Sequence, residues 1–148
     1  MPTARVSRTL AADPMAVWDV LADPHHQPRW WPRVHRMEGV EEERFTQVLA
    51  TERGKGVRAD FRVLERDEGR RLRWAQELPG SPFERLLAEA HTCFELAPAA
   101  GSEGGTRVEA ELRQRLRGWS RMVPFLFRRA ARRQLAEALE GLERAVVG

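Results

Sequence analysis

Two stretches near the C-terminal end decide the fold: TRVEAELRQRL at residues 106–116 and PFLFRRAARRQLAEALEGLERAVV at residues 124–147. In the first, apolar residues such as Val108 and Leu112 alternate with charged ones, which predicts a β-strand with one face on a core and the other in water. In the second, apolar residues recur at helical spacing. This predicts a helix of about 36 Å, at 1.5 Å per residue. The helix is long enough to cover the apolar face of a sheet.

The chain before residue 106 predicts more strands of the same one-sided sheet. Residues 57–63 and 72–78 alternate in the same way, and turns containing Gly or Pro separate strand-length runs between residues 34 and 117. Gly54-Lys55-Gly56 and residues 98–105 are two such turns. Successive strands joined in this manner favour an antiparallel meander.

Two Asp-Pro pairs predict the starts of short helices after a first strand near residues 5–10. Proline suits the first helical position and the preceding aspartate suits the cap. Asp13-Pro14 is followed by an apolar face that includes Val17 and Trp18, and Asp23-Pro24 begins a second turn of helix. Two prolines then bracket Trp30-Trp31, which predicts a compact aromatic loop.

The composition predicts one soluble domain over residues 1–148. Apolar residues make up 42% and charged residues 32% of the chain, as in ordinary globular proteins. No run approaches the roughly 18 to 20 apolar residues of a membrane helix. The N-terminal residues show no export signal, and Cys93 is the single cysteine, so a cytoplasmic location is expected, as a monomer or a homodimer.

The order of these elements, with three sequence motifs, resembles the START-like, polyketide cyclase and lipid-transport (SRPBCC) superfamily. The motifs are Val17-Trp18-x-x-Leu21-x-Asp23-Pro24, Trp30-Trp31-Pro32, and Phe94-x-Leu96 with Gly105-Thr106-Arg107-Val108. The resemblance spans nearly the whole chain. It implies the α+β helix-grip fold, in which a curved antiparallel sheet wraps around a long C-terminal helix.

The resemblance also implies a deep apolar cavity between the sheet and the long helix. Members use it for lipids, hormones, quinones, polyketides or aromatic substrates. The alternation places bulky residues on the inner strand faces, and the helix stripe faces them; these residues either line a cavity or fill a core, and the resemblance favours the cavity. They are Phe61, Trp74, Phe94, Leu112, Phe127 and Leu135.

Other candidates in the cavity are small or polar. Ala131 and Ala138 on the helix either leave space for a ligand or let the helix approach the sheet closely. Gln76, Gln114 and Thr92 share the apolar phase of their strands and are candidates for orienting a ligand; the alternative is that backbone groups or water satisfy each of them. Trp30 and Trp31 either form the mouth of the cavity or fasten the aromatic loop to the sheet.

The sequence predicts no metal and no cofactor. His91 and Cys93 share a strand face, but two ligands are fewer than zinc needs. Gly54-Lys55-Gly56 fits a hairpin turn better than a phosphate loop. Nucleic acid is not an expected partner, since the net charge is only +3 and the cluster of Arg128, Arg129, Arg132 and Arg133 is typical of a solvated helix face.

Three functions follow in order of preference. The first is binding or transport of a hydrophobic or aromatic small molecule, with apolar burial supplying the affinity. The second is an aromatase/cyclase-type enzyme acting on a polyketide-like or aromatic substrate, which needs an inward acid or base that the sequence does not assign. The third is a protein- or RNA-interaction module that uses the arginine cluster.

Overall fold

The computed structural model describes residues 1–51, 54, 56–101 and 104–148. Its elements follow the predicted order of strand, short helices, strand meander and long helix. They are β1 (Thr3–Leu10), α1 (Pro14–Leu21), a first 3₁₀ turn (Pro24–His26), α2 (Gln27–Trp30), β2 (Val34–Glu38), β3 (Arg44–Leu49), β4 (Val57–Asp67), β5 (Arg71–Glu77), β6 (Leu87–Pro98), β7 (Thr106–Leu116), a second 3₁₀ turn (Gly118–Met122) and α3 (Pro124–Val147).

Within the described residues, seven strands form one antiparallel sheet in the order β1-β7-β6-β5-β4-β3-β2. Strands β2 to β7 each pair with their neighbour in sequence, which confirms the meander, and β1 pairs with β7. Strands β3 and β4, and likewise β6 and β7, are antiparallel partners, and the sequence predicts turns between them at Gly54-Lys55-Gly56 and at 98–105. Lys55 and residues 102 and 103 lie outside the described residues.

Both Asp-Pro pairs start helices as predicted. The Asp13 carboxylate accepts a hydrogen bond from the Ala16 backbone N–H at 2.9 Å, and the Asp23 carboxylate accepts one from the His25 N–H at 3.0 Å. Each aspartate satisfies a donor that the first helical turn leaves without a backbone partner.

Alternation along β7 gives the sheet one buried face. Val108, Ala110 and Leu112 are buried, whereas Arg107 and Arg113 are exposed. At the start of the strand Thr106 is fully buried, and its hydroxyl donates to the Ala12 carbonyl at 2.6 Å, which joins β7 to the loop before α1.

Helix α3 covers this face with the predicted stripe. The helix packs mainly against β1, β7, α1 and α2. At Gly141 the helix lies so close to α2 that an added Cβ would come within 2.3 Å of the Trp30 carbonyl oxygen. A curved antiparallel sheet holding a long C-terminal helix is the helix-grip fold. The stripe residues Ala131, Leu135, Ala138 and Leu142 are all buried.

Over the sheet, the helix packs most extensively against β1 and β7. We expect α3 to cover Phe61, Trp74 and Leu112 together, and Leu112 does lie on a strand that α3 contacts. Phe61 and Trp74 lie on β4 and β5, outside the extended contacts of α3, and both pack against Phe45. Aromatic side chains therefore cover this half of the sheet.

No helix in the described part of the chain is long and apolar enough to span a membrane.

Candidate functional site

Six aromatic side chains form one continuous cluster between the sheet and the helices. Trp31 lies edge-on to Trp74 and Phe94, with ring centroids 5.9 and 6.1 Å apart, and Trp74 lies 5.4 Å from Phe94. Such offset and edge-on pairs add about 0.5 to 1.5 kcal/mol each beyond the area that they bury. The other members are Trp30, Phe45 and Phe61.

Two donors inside this cluster have no protein acceptor. The indole N–H groups of Trp30 and Trp74 are buried, and neither has a hydrogen-bond partner among the described residues. A buried donor without a partner costs about 1 to 3 kcal/mol. Indole nitrogens normally find a partner when they are buried. The cluster therefore keeps unused capacity to donate to an acceptor atom.

A buried amide pair borders the cluster and was not foreseen from the sequence. Gln47 on β3 donates from Nε2 to Oε1 of Gln27 on α2 at 2.6 Å, and both side chains are almost fully buried. The pair fastens α2 to the sheet. The one available signal was that Gln47 shares a strand face with the apolar residues Phe45 and Leu49.

The cluster fills its own interior. A narrow gap beside Trp74, lined also by Gln27 and Phe45, has no room for a water molecule. A groove of about 540 Å³ opens instead between the first half of α3 and the chain segment that follows Trp31. Its apolar lining consists of Pro32, Leu49, Leu126 and Ala130.

The rim of this groove is cationic. Arg33, Arg129 and Arg133 line it together with Gln134 and Glu137, and Arg133 forms an ion pair with Glu137 at 3.5 Å. Arg33 has φ = 68°, a left-handed conformation that costs a non-glycine residue about 1 to 3 kcal/mol and is commonest at functional sites. Its carbonyl accepts from the Ala50 N–H at 2.8 Å, which holds the strained residue against β3.

Most predicted site residues lie in the buried core. Ala131 and Ala138 are buried, and the helix touches α2 backbone one turn further on. Trp31 immediately precedes the groove residues Pro32 and Arg33. The buried set is Trp31, Trp74, Thr92, Phe94, Leu112, Ala131, Leu135 and Ala138.

Phe61, Gln76, Gln114 and Phe127 are only half-buried. Phe127 does not face the aromatic cluster as the helix stripe suggests, since it packs against a second, smaller core with Leu78 and Leu87. Gln76 lies opposite Phe61 in the register, and the Gln114 backbone N–H donates to Pro2.

Cys93, the single cysteine, lies outside the groove and is half-buried. Burial raises the pKa of Cys93, and the nearby Arg71 guanidinium opposes that rise. A raised pKa keeps the thiol protonated and unreactive. Among the described residues, no three His, Cys, Asp or Glu side chains are grouped so as to hold a metal ion.

The family model described as "Polyketide cyclase / dehydrase and lipid transport" matches residues 1–147. No curated protein matches the chain significantly. Similar solved structures share its fold at low identity. A START superfamily protein from Mycobacterium smegmatis is 14% identical, with TM-score 0.78 and coverage of 97% of this chain and 96% of that one.

Two further structures have comparable similarity. TTHA0849 from Thermus thermophilus is 23% identical, with TM-score 0.77 and coverage of 99% of this chain and 97% of that one. The di-domain ARO/CYC protein BexL from the BE-7585A biosynthetic pathway is 20% identical, with TM-score 0.78, and the match covers 97% of this chain and 46% of that one. At these identities the likeness establishes the fold.

Proposed function

Because the chain belongs to the polyketide cyclase/dehydrase and lipid-transport family, we propose that it binds a hydrophobic or aromatic small molecule in the groove beside α3. The volume and the lining of the groove are the observations that support this proposal. Its volume of about 540 Å³ lies within the roughly 300 to 1,000 Å³ of small-molecule sites. It combines an apolar floor with a few polar groups at one rim, which is the usual composition of such a site.

The rim indicates the chemistry of the ligand. Arg33 and Arg129 have no ion-pair partner among the described residues, and Glu137 offsets Arg133 only. A carboxylate or phenolate oxygen on the ligand would meet guanidinium donors at this rim. Its apolar body would lie against Pro32, Leu49 and Leu126.

The aromatic cluster supplies the deeper end of the site. A ligand that displaces the Trp31 ring from its edge-on packing reaches the unpartnered indole N–H groups of Trp30 and Trp74. A carbonyl or hydroxyl oxygen at that end of the ligand would satisfy one of them. The ligand class is therefore an aromatic or polycyclic molecule with an anionic group at one end and a neutral acceptor at the other.

Blocking the groove tests this site. We expect Ala130→Trp to abolish the fluorescence of a bound anionic naphthalene probe, because the exposed Ala130 lines the groove. Ala97→Trp, the same change at an exposed position of β6, should leave probe binding intact. Equal binding by both variants would place the ligand elsewhere. Native mass spectrometry of the purified protein then identifies any ligand that it retains.

Removing one buried donor tests the deeper end. Trp74→Phe should weaken binding of a carbonyl-bearing ligand by about 0.5 to 1.5 kcal/mol, the net value of a neutral hydrogen bond. The smaller ring should lower the free energy of unfolding, because less apolar area is buried. Removal of the N–H donor should not lower it further, because that donor has no partner in the free protein. Unchanged affinity would show that the ligand does not reach Trp74.

A cyclase-type enzyme is the second candidate, favoured by one residue of the groove. Glu137 is the single carboxylate among the described residues that line it, so it is the group available to move a proton. Glu137→Gln should then abolish turnover of a polyketide-like substrate and keep its binding. Turnover that survives the substitution removes this candidate mechanism.

A further inference from the structure

One stretch of the chain concentrates positive charge to an unusual degree. Between Glu111 and Glu137 there are eight arginines and no acidic residue. The whole chain has 25 Lys and Arg against 22 Asp and Glu, so the rest of it carries 17 cations against 22 acids. The modest net charge of +3 is therefore the sum of one strongly basic region and a slightly acidic remainder of the chain.

The same stretch exposes large apolar side chains. Trp119, Met122, Phe125 and Leu126 are 63%, 81%, 63% and 49% exposed, and we call them the 119–126 patch. Trp119 and Met122 are three residues apart in a 3₁₀ turn, so they project from the same side of it. Phe125 and Leu126 follow in the first turn of α3. Clustered exposed apolar side chains of this kind mark interaction surfaces.

Internal hydrogen bonds hold this exposed turn in place. The Ser120 hydroxyl is fully buried, donates to the Leu86 carbonyl at 2.7 Å and accepts from the Arg117 N–H at 3.1 Å. Gly118 has φ = 63°, and a Cβ there would lie 3.2 Å from the Arg85 carbonyl oxygen. The turn is thus built so that Ser120 points inward while Trp119 and Met122 point outward.

The arginines around the patch are uncompensated. In the described part of the chain, Arg117, Arg121, Arg128, Arg129 and Arg132 form no ion pair, whereas arginines on the sheet do, such as Arg5 with Glu111 and Arg58 with Glu38. Phe125, Arg128, Arg129 and Arg132 follow helical spacing along one exposed side of α3. On α3, Phe125 and these arginines therefore share one exposed side of the helix.

We propose that this face docks on an anionic lipid bilayer, with the 119–126 patch at the level of the acyl and headgroup boundary and the arginines against lipid phosphates. Trp, Phe and Leu flanked by arginines are the combination that enters a membrane interface, and each arginine near an anionic surface adds electrostatic attraction. This inference does not depend on the ligand proposed for the groove.

A basic depression beside the patch fits a lipid headgroup. It has a volume of about 620 Å³ and is lined on one side by Arg115, Arg117 and Arg121. Arg115 lies 3.9 Å from Glu89, an exposed pair that does not neutralise the other two cations. Guanidinium groups hold phosphate through paired N–H donors, so this depression would take the phosphate of an anionic lipid.

The observations favour a membrane over other occupants. A symmetric dimer through this face would bring the same arginines of two copies together, and like charges would oppose it. An RNA would use Trp119 for stacking but gains little from the aliphatic Met122 and Leu126, since bases stack on aromatic rings. A bilayer uses both the apolar and the cationic groups.

Co-sedimentation with vesicles tests the proposal on the full chain. We expect binding to vesicles of phosphatidylcholine with about 30% phosphatidylglycerol, roughly tenfold or more weaker binding to phosphatidylcholine alone, and weakening with added salt. The triple variant Trp119→Ser/Met122→Ser/Phe125→Ser should bind at least about tenfold more weakly. Arg121→Gln/Arg128→Gln/Arg132→Gln should do the same.

Control variants change exposed apolar and cationic side chains elsewhere on the surface. Met15→Ser/Leu64→Ser removes exposed apolar side chains from other parts of the surface, and Arg62→Gln/Arg66→Gln/Arg70→Gln removes the same charge from β4 and the following turn. Both controls should bind like wild type. All of these positions are exposed, and circular dichroism confirms that each variant folds.

Three results would overturn the proposal. One is the absence of vesicle binding by the folded wild type. Another is equal loss in the control and patch variants, which would indicate bulk charge alone. The third is salt-sensitive binding of a single-stranded RNA, or a concentration-dependent dimer, that the patch variants abolish while vesicle binding stays unchanged.

Discussion

The two halves of α3 differ in what they do for the fold. In the second half, Leu139 and Leu142 are fully buried, and Arg8 of β1 pairs with Glu143 at 2.9 Å and lies 4.0 Å from Glu140. In the first half, Phe125 and Leu126 are exposed. The second half therefore mainly stabilises the protein, while the first half buries Ala131 and Leu135 but also exposes apolar and cationic side chains that are available for binding.

A pair of identical substitutions sets the scale of this difference. Leu139→Ala should lower the free energy of unfolding by about 2 to 5 kcal/mol, because it leaves a cavity in a close-packed core. Leu126→Ala, on the exposed side of the first half, should change it by less than about 0.5 kcal/mol. Urea denaturation of both variants measures the contrast, and similar losses would mean that the first half also carries core packing.

The close approach of α3 to α2 gives the next largest effect. Gly141→Ala places a Cβ about 2.3 Å from the Trp30 carbonyl oxygen, and backbone atoms cannot yield as a flexible side chain would. The higher helix propensity of alanine offsets up to about 1 kcal/mol, but we expect a net loss of about 1 to 3 kcal/mol. Gly148→Ala, which meets no atom, serves as the control. A stabilised Gly141→Ala would show that α2 moves aside easily.

The sequence predicts α3 well because its signals are local. Pro124 marks the first helical residue, the stripe sets which side is buried, and the helix runs from Pro124 to Val147 as expected. The Asp-Pro caps and the β7 alternation are local in the same sense. Family resemblance supplied the arrangement of these elements, and the order of strands confirms it.

The site was less predictable because it depends on partners distant in sequence. The apolar stripe on α3 includes Phe127, but helical spacing does not show which residues it contacts. Phe127 packs against Leu78 and Leu87 rather than against the aromatic cluster. Gln47 is buried against Gln27, 20 residues away, whereas the phase of Gln76 and Gln114 pointed to those residues instead. The exposure of Trp119 and Met122 likewise follows from the buried Ser120, which composition and periodicity do not reveal.

The ion pairs that join the second half of α3 to β1 have a smaller effect. Glu143→Gln should lower the free energy of unfolding by about 0.2 to 1 kcal/mol, since Arg8 and Glu143 are both partly exposed. Raising the salt concentration should shrink this difference. Arg132→Gln, at an arginine that forms no ion pair among the described residues, should have no measurable effect on stability. Equal losses of stability in the two variants would show that ion pairs do not distinguish the second half of α3 from the first.

The smallest expected effect is a pH dependence at Asp23, which begins the helical segment that packs against the second half of α3. Burial acts to raise the pKa of this carboxyl, but hydrogen bonds from the His25 backbone and ring outweigh it and hold the pKa below its ordinary value of 3.8. A lowered native pKa means that the ionised form stabilises the fold above pH 3.8 and that this contribution is lost as the pH falls through the native value. Asp23→Asn should therefore be slightly less stable than wild type at about pH 7 and equal to it in acid. Chemical denaturation at about pH 7 and at about pH 2.5 measures the difference, and a gap that persists in acid would show that Asp23 acts by its shape rather than by its charge.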